Sequence, residues 1–228
     1  MKASAIVVAA GSGTRLGLTT PKALVELDGT SLLMRVLRTL AQVQALIEIV
    51  VAVPQGAQQS ARAQANAAQL QVPVKITEGG AMRQDSVRIG LELTSAEADF
   101  TVVHDAARPF ATGAMFSACL SAAVSGGGAI IAIPAADTLK QVETGTIVAS
   151  VPRDGLWQAQ TPQAFRRKLL MAAHEWARRE QISVTDDAQL LERRGLPVQV
   201  VQGSALNFKI TTREDLKIAE AIARFARG

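Results

Sequence analysis

The chain has 228 residues, about one and a half times a typical domain, with 48% hydrophobic and 19% charged residues, which excludes a disordered or low-complexity protein and leaves enough apolar side chain to cover both faces of a sheet. Its single cysteine, Cys119, excludes an internal disulfide, its two histidines leave no zinc cluster, and no run approaches the roughly 18 to 20 apolar residues of a membrane span. The formal charge is +4, but aromatics are only 4% and tyrosine is absent, so the anionic partners expected are small phosphorylated molecules rather than nucleic acid or a membrane.

The chain opens on Ala3–Ala10, a short apolar run that reads as a buried first strand; Ile6–Ala10 is too short for a signal-peptide core. A glycine-bearing loop follows, then an amphipathic helix over Ser31–Gln44. The rhythm repeats as strand Ile47–Val53, helix Ala57–Leu70, strand Val72–Thr77, helix Ser86–Leu93, strand Phe100–Val103, helix Thr112–Ser125 and strand Ala129–Ile133. The strands are β-branched and lack polar alternation, so they are expected to be covered on both faces. Between Pro134 and Pro162 the rhythm stops. Thr138–Val142 and Thr146–Val151 flank Glu143-Thr144-Gly145, the pattern of a hairpin. Pro162–Glu180 and Asp186–Arg194 then read as helices, Pro197–Gln202 and Asn207–Ile210 as late strands. Thr212–Phe225 reads as a closing helix whose Thr212-x-x-Asp215 start is a capping pattern. The basic groups Arg166–Lys168, Arg178–Arg179 and Arg193–Arg194 fall in polar stretches and read as solvated helix faces.

Alternation of this kind predicts an α/β fold: a Rossmann-like, mostly parallel sheet with helices on both faces, in one domain over 1–228. A β-hairpin arm protrudes from it at about 136–155. The hairpin has too little apolar surface to stand alone, so the main body or a second copy must cover it. One unpaired cysteine and no leader suit a reducing, cytoplasmic setting.

Ligands in such sheets bind beyond the carboxyl ends of the strands, which points to the loops after Ala10, Thr77 and Val103. The first reads Gly11-Ser12-Gly13-Thr14-Arg15-Leu16-Gly17. No Lys-Ser/Thr pair follows as a phosphate-binding P-loop requires, and Leu16 stands where a dinucleotide fingerprint needs its third small residue. The glycines allow close backbone approach to phosphate, while positive charge must come from Arg15 and Lys22. Asp105 lies just past a buried strand, where a carboxylate needs a cation, a helix to cap or hydroxyl ligands; Arg108 is one candidate partner. Ser86 is either a helix cap or a hydrogen-bonding partner for a ring edge.

Four segments in order carry a resemblance: Gly11–Gly17 with Pro21-Lys22, Gly79–Val87, His104–Pro109 and Asn207–Thr211. The first is similar to the signature of sugar- and polyol-phosphate nucleotidyltransferases. Together they resemble the 2-C-methyl-D-erythritol 4-phosphate cytidylyltransferase family over nearly the whole chain. The resemblance implies CTP and a polyol phosphate as substrates, with Mg²⁺ carried mainly on the CTP phosphates. It implies a catalytic set of Arg15 and Lys22 on the reacting phosphates, with Arg153 and Lys209 as acceptor clamps. It places Ala9, Ala10, Gly11, Gly13, Ala106 and Arg108 among the substrate-binding positions. Gly80, Arg83, Asp85 and Ser86 lie where the family holds the cytosine. Asp105 lies near the ribose and acceptor, reaching Mg²⁺ through water. Thr138 and Thr161 would serve the acceptor, and a homodimer through the arm would carry Arg153 into the neighbouring site. His104 is read as structural, since an ionised phosphate nucleophile needs no base. Ala23 and Leu206 depart from residues common in the family. Rival readings are a ribitol 5-phosphate cytidylyltransferase, a non-catalytic nucleotide-binding regulator, and a nicotinamide-dependent oxidoreductase, the last disfavoured by Leu16.

Overall fold

A computed structural model describes residues 1–11, 13, 17 and 20–225. β1 (Ala3–Val8) is followed by a small ribbon, β2 (Glu26–Leu27) and β3 (Thr30–Ser31), and by α1 (Leu32–Leu40). Then come β4 (Leu46–Val53), α2 (Gln58–Ala67), β5 (Val74–Glu78), α3 (Arg83–Leu93), β6 (Phe100–Asp105), α4 (Gly113–Gly126) and β7 (Gly128–Pro134). β8 (Leu139–Glu143) and β9 (Thr146–Val151) form a separate two-stranded sheet. β10 (Trp157–Arg166), α5 (Arg167–Arg179), α6 (Ala188–Glu192), β11 (Gln199–Gln202) and α7 (Arg213–Phe225) complete the described chain.

The main sheet has seven strands in the order β11-β7-β10-β6-β1-β4-β5. β1 pairs in parallel with both β4 and β6, and β10 runs antiparallel between β6 and β7. Alternate residues of each strand face opposite layers, and the core divides accordingly. Ala5, Val7, Ile49, Val51, Val102 and Ile131 pack with α1, α2 and α4. Ile6, Val103, Ile130 and Phe165 pack with α3, α5 and α6 on the other face. At about 25 cal/mol per Å² of apolar area removed from water, these two layers supply the main drive to fold. The α/β sandwich expected from the sequence is present, and no helix among the described residues is long and apolar enough to cross a membrane.

Three local expectations are corrected. Residues 162–166 do not begin a helix; they end β10, and α5 starts only at Arg167. The reason is burial: from Gln160 through Phe165 every residue is buried, and a strand wedged between β6 and β7 supplies backbone partners on both sides. Asn207–Ile210 is not a strand; a 3-10 turn at Ala205–Asn207 leads into irregular chain tied by Ile210 N–H to the Ala107 carbonyl at 2.9 Å. β5 is not covered on both faces, since as the outermost strand it buries only Ile76. The closing helix does carry its expected reciprocal cap, with Thr212 N–H on Asp215 Oδ2 at 2.8 Å and Asp215 N–H on Thr212 Oγ1 at 3.1 Å.

Candidate active site

The chain moves from β1 to β4 on one side and returns to β6 on the other, so the order reverses at β1 and leaves a crevice beyond the carboxyl ends of β1 and β6. After β6, Ala106 N–H bonds the Val8 carbonyl at 3.0 Å, which draws the chain across the end of β1. A cleft of about 360 Å³ lies there, large enough for part of a nucleotide. Val8–Gly11, Lys22 and Ala23 form one wall, Gly80–Arg83 and Ser86 a second, and Asp105–Ala107 with Lys209 a third.

The second wall is built by crowding. A Cβ on Gly79 would stand 2.5 Å from the Ala10 Cβ, and one on Gly80 would overlap the Asp85 Cβ. Only glycine lets this turn lie flat against β1 and α3. Asp85 Oδ2 accepts from Met82 N–H at 3.2 Å and so caps α3. Ser86, inside the helix, accepts from Gly80 N–H at 3.1 Å and donates to the Met82 carbonyl at 3.2 Å. Ser86 therefore locks the loop rather than capping the helix.

Charge in the cleft alternates. Lys209 Nζ is 2.6 Å from Asp105 Oδ2, Arg83 Nε is 3.1 Å from Asp105 Oδ1, and Arg83 Nη1 is 2.7 Å from Asp187 Oδ2. Burial opposes ionisation of Asp105, yet Arg83 and then Lys209 outweigh it and hold the carboxyl well below the usual carboxylate range. Asp187 is likewise lowered against its burial, by Arg83 and His174, and the two carboxylates raise Arg83 in turn. Arg108 N–H donates to the Asp105 carbonyl at 3.0 Å, and its charge helps to lower the Asp105 carboxyl, but its guanidinium is hydrogen-bonded elsewhere. Its guanidinium donates to the carbonyls of Asn207 at 2.7 Å and Ala159 at 3.3 Å, tying the loop after β6 to the segment that carries Lys209. Asn207 adds bonds from Nδ2 to Gln160 Oε1 and the Thr161 carbonyl, so Lys209 sits between two buried anchors, Asn207 and Ile210.

Behind Asp105, Thr161 Oγ1 accepts from Asp105 N–H at 3.1 Å and faces His104 Nδ1 at 2.9 Å. His104 Nε2 meets the Arg108 carbonyl at 3.1 Å. A carbonyl only accepts, so the ring hydrogen belongs on Nε2 and Nδ1 accepts from Thr161. Burial lowers the His104 pKa to about 4, and the side chain is fully enclosed. A register shift in β10 between Ala159 and Gln163 frees Thr161 to turn toward β6.

Of the residues singled out from the sequence, the cleft brings together Ala9, Ala10, Gly11, Lys22, Gly80, Arg83, Ser86, Asp105, Ala106 and Lys209. Gly13, at φ +72°, lies beside Lys22 and shapes its loop, since a Cβ there would be 3.2 Å from the Lys22 Cβ. Arg15 lies outside the described residues. Asp85, Arg108 and Thr161 support the walls from behind. Thr138 and Arg153 are exposed at the base of the arm, where Arg153 donates to the Ala136 carbonyl. Ala23 is buried against the main core, and Leu206 is exposed. Asp187, His174 and Gln163 were not legible as site residues: no motif marks them, and Asp187 reaches Arg83 across 104 positions.

A Rossmann-like sheet whose switch-point crevice gathers crowded glycines, Lys22, Arg83 and Lys209 is the architecture of the nucleotidyltransferases. The profile described as 2-C-methyl-D-erythritol 4-phosphate cytidylyltransferase matches residues 3–225, and the chain belongs to that family. The Deinococcus radiodurans protein of that name is 46% identical over 227 residues, covering 100% of this chain and 92% of its relative. The crystal structure of the Thermus thermophilus 2-C-methyl-D-erythritol 4-phosphate cytidylyltransferase superposes with a TM-score of 0.83 at 37% identity, covering 98% of this chain and 100% of that one. That of 4-diphosphocytidyl-2C-methyl-D-erythritol synthase from Anaerococcus prevotii gives 0.86 at 30% identity, with 98% of each chain covered.

Proposed function

We propose that this protein transfers CMP from CTP to 2-C-methyl-D-erythritol 4-phosphate, releasing pyrophosphate in isoprenoid precursor synthesis. The observation that carries this reading is the cationic, glycine-walled cleft at the sheet's switch point, in a chain of this family. An oxygen of the acceptor phosphate attacks the α-phosphorus of CTP, and the bond from that phosphorus to the pyrophosphate oxygen breaks. An ionised phosphate needs no deprotonation, which suits a site whose histidine is enclosed and hydrogen-bonded on both nitrogens. The protein's work is alignment and charge stabilisation. Lys22, with Arg15 from the same loop, neutralises charge on the reacting and departing phosphates, while Gly80, Arg83 and Ser86 hold the base. Asp105 faces the ribose and acceptor, and Lys209 grips the acceptor phosphate.

Among the described residues no three potential ligands cluster to hold a metal by themselves, and Asp105 is the sole carboxylate lining the cleft. That donor set fits Mg²⁺ brought on the triphosphate, where Asp105 would hold one of its waters. Bound there, the ion would withdraw charge from the phosphate oxygens.

The active unit is a homodimer joined by the arm. β8 and β9 lie off the main sheet and leave Val142, Ile147, Val148 and Val151 exposed, apolar side chains that a partner's arm would cover. Two arms exchanged about a two-fold axis would cover one another and bring Arg153 and Thr138 to the neighbour's acceptor. With its one cysteine buried and unpaired, the protein works in the cytoplasm, apart from nucleic acid and membrane.

Pyrophosphate release, screened over four nucleoside triphosphates with methylerythritol phosphate and ribitol 5-phosphate, tests the reaction. CTP with methylerythritol phosphate is the expected pair; preference for another nucleotide or for ribitol phosphate defeats the reading. Mixing inactive Lys22→Ala and Arg153→Ala chains tests the dimer. Random 1:1 exchange makes about half the dimers mixed, each with one intact site, so up to roughly a quarter of wild-type activity returns. No recovery after exchange verified by mass places Arg153 in its own chain's site.

A further inference from the structure

Arg83 is the first residue of α3, where the helix dipole disfavours a cation. Two carboxylates offset that cost, and the two differ. Asp105 belongs to the cleft, is shared with Lys209, and accepts from Arg83 Nε at 3.1 Å. Asp187 does not border the cleft, is 1% exposed, and accepts from Arg83 Nη1 at the shorter distance of 2.7 Å. Its other oxygen, Oδ1, accepts from His174 Nε2 at 3.1 Å, and its backbone N–H donates to Gln163 Oε1 at 3.2 Å. His174 is itself buried on α5, and Gln163 on β10. The carboxylate is thus fixed by two elements that carry no cleft residue, and it fixes in turn a residue that does.

We infer that Asp187, oriented by His174, is a positioning residue that clamps the Arg83 guanidinium from outside the cleft, so that Asp105 is shared between Arg83 and Lys209 and CTP meets cations already in place. Without the Asp187 charge, Asp105 would be the guanidinium's remaining carboxylate partner and Lys209 would compete for it. Arg83 would then swing, and preorganisation for the nucleotide would be lost though nothing touching the nucleotide had changed. This rests on reading Arg83 as a nucleotide-binding residue.

Calorimetric titration of CTP with Mg²⁺ into wild-type protein, Asp187→Asn, Arg83→Met and the double variant separates the two ideas. Asp187→Asn is expected to weaken CTP binding by roughly ten-fold or more, the scale of one lost charge-assisted hydrogen bond. In the Arg83→Met background the same substitution is expected to add nothing, because it acts through the guanidinium. In turnover, KM for CTP rises more than kcat falls. Additive losses in the double variant, or unchanged affinity in Asp187→Asn while Arg83→Met binds poorly, overturn the inference alone. Normal CTP affinity in Arg83→Met overturns the reading of Arg83 beneath it. Should Asp187→Asn fail to fold, His174 carries the test. His174→Gln keeps a donor for Asp187 and should retain CTP affinity within about three-fold, while His174→Phe should lose roughly ten-fold. Equal affinities for these two variants overturn the clamp.

Discussion

Acidification tests the hydrogen-bond chain behind the cleft, because His104 is enclosed at the centre of it. The unfolded chain takes up the imidazole proton near pH 6.5, whereas burial keeps the folded ring neutral down to about 4. Stability is therefore complete above pH 6.5 and falls as pH drops toward 4, where the unfolded state binds the additional proton. At about 1.4 kcal/mol per pH unit, the gap between 6.5 and about 4 amounts to roughly 3 kcal/mol. Asp105 and Asp187, both held below the usual carboxylate range, stay ionised in the folded state, and because their unfolded forms take up protons only near 3.8 they add to the slope only below about pH 5, leaving the loss between 6.5 and 5 to His104. A loss near 3 kcal/mol is a large share of the 5–15 kcal/mol that holds a typical domain folded, and at about 1–3 kcal/mol per molar it moves a urea midpoint by roughly 1–3 M. Urea titrations at pH 7.5, 6.0, 5.0 and 4.3 measure it. His104→Gln, whose amide can still donate to the Arg108 carbonyl, should start less stable and show little slope over the same range. Parallel loss of stability in wild type and variant would refute the assignment of this window to His104.

Lys22→Ala and Arg15→Ala should each lower turnover by about 10²- to 10³-fold, the scale of losing one preorganised charge-stabilising donor, with urea midpoints shifted little; near-normal turnover would remove them from the phosphate site. Gly90→Ala places a Cβ 2.7 Å from Ile6 Cγ2, in the fully buried seam between α3 and β1. Overpacking of about 1–3 kcal/mol, less up to about 1 kcal/mol of gained helix propensity, predicts a net loss near 1 kcal/mol in urea unfolding; a gain in stability would contradict the packing. Cys119 is buried and burial pushes its thiol up to about 12, so an aromatic disulfide reagent at pH 8 should leave the native protein unmodified for many minutes. Complete reaction should follow in denaturant, and rapid native labelling would place the thiol nearer the surface than it is.

Much of the scaffold was legible because it rests on local pattern. The apolar, β-branched runs of β1, β4 and β6 have few alternatives to a sheet covered on both sides, and α1, α2 and α4 announce themselves by helical spacing. Asp105 could be singled out because a carboxylate directly after a buried strand demands a partner, and Lys22 because glycine loops without a P-loop lysine need charge from elsewhere. Thr212 and Asp215 cap α7 as their spacing requires.

What the sequence could not decide depends on groups that meet only after the chain has folded. β10 carries Gln158, Gln160 and Gln163, whose amides argue against a buried strand; inside the sheet, Gln160 bonds Asn207 and the Ser204 carbonyl while Gln163 bonds Asp186 and Asp187. A buried amide is tolerable only with such partners, and they arrive from other elements. The sequence pattern places Lys209 on a strand, yet irregular chain pinned by Asn207 and Ile210 holds it. Arg108, three residues along, is one of the partners the sequence offers Asp105, yet the hydrogen bonds to the carboxylate come from Arg83 and Lys209, the latter 104 positions distant. The sequence by itself determined the parallel strands β1, β4, β6 and β7 and the loops that face their carboxyl ends, because period and side-chain volume act over a few residues. The tertiary structure alone decided which charges share the cleft and which stand behind it, because Coulomb attraction and desolvation depend on separation in space rather than along the chain.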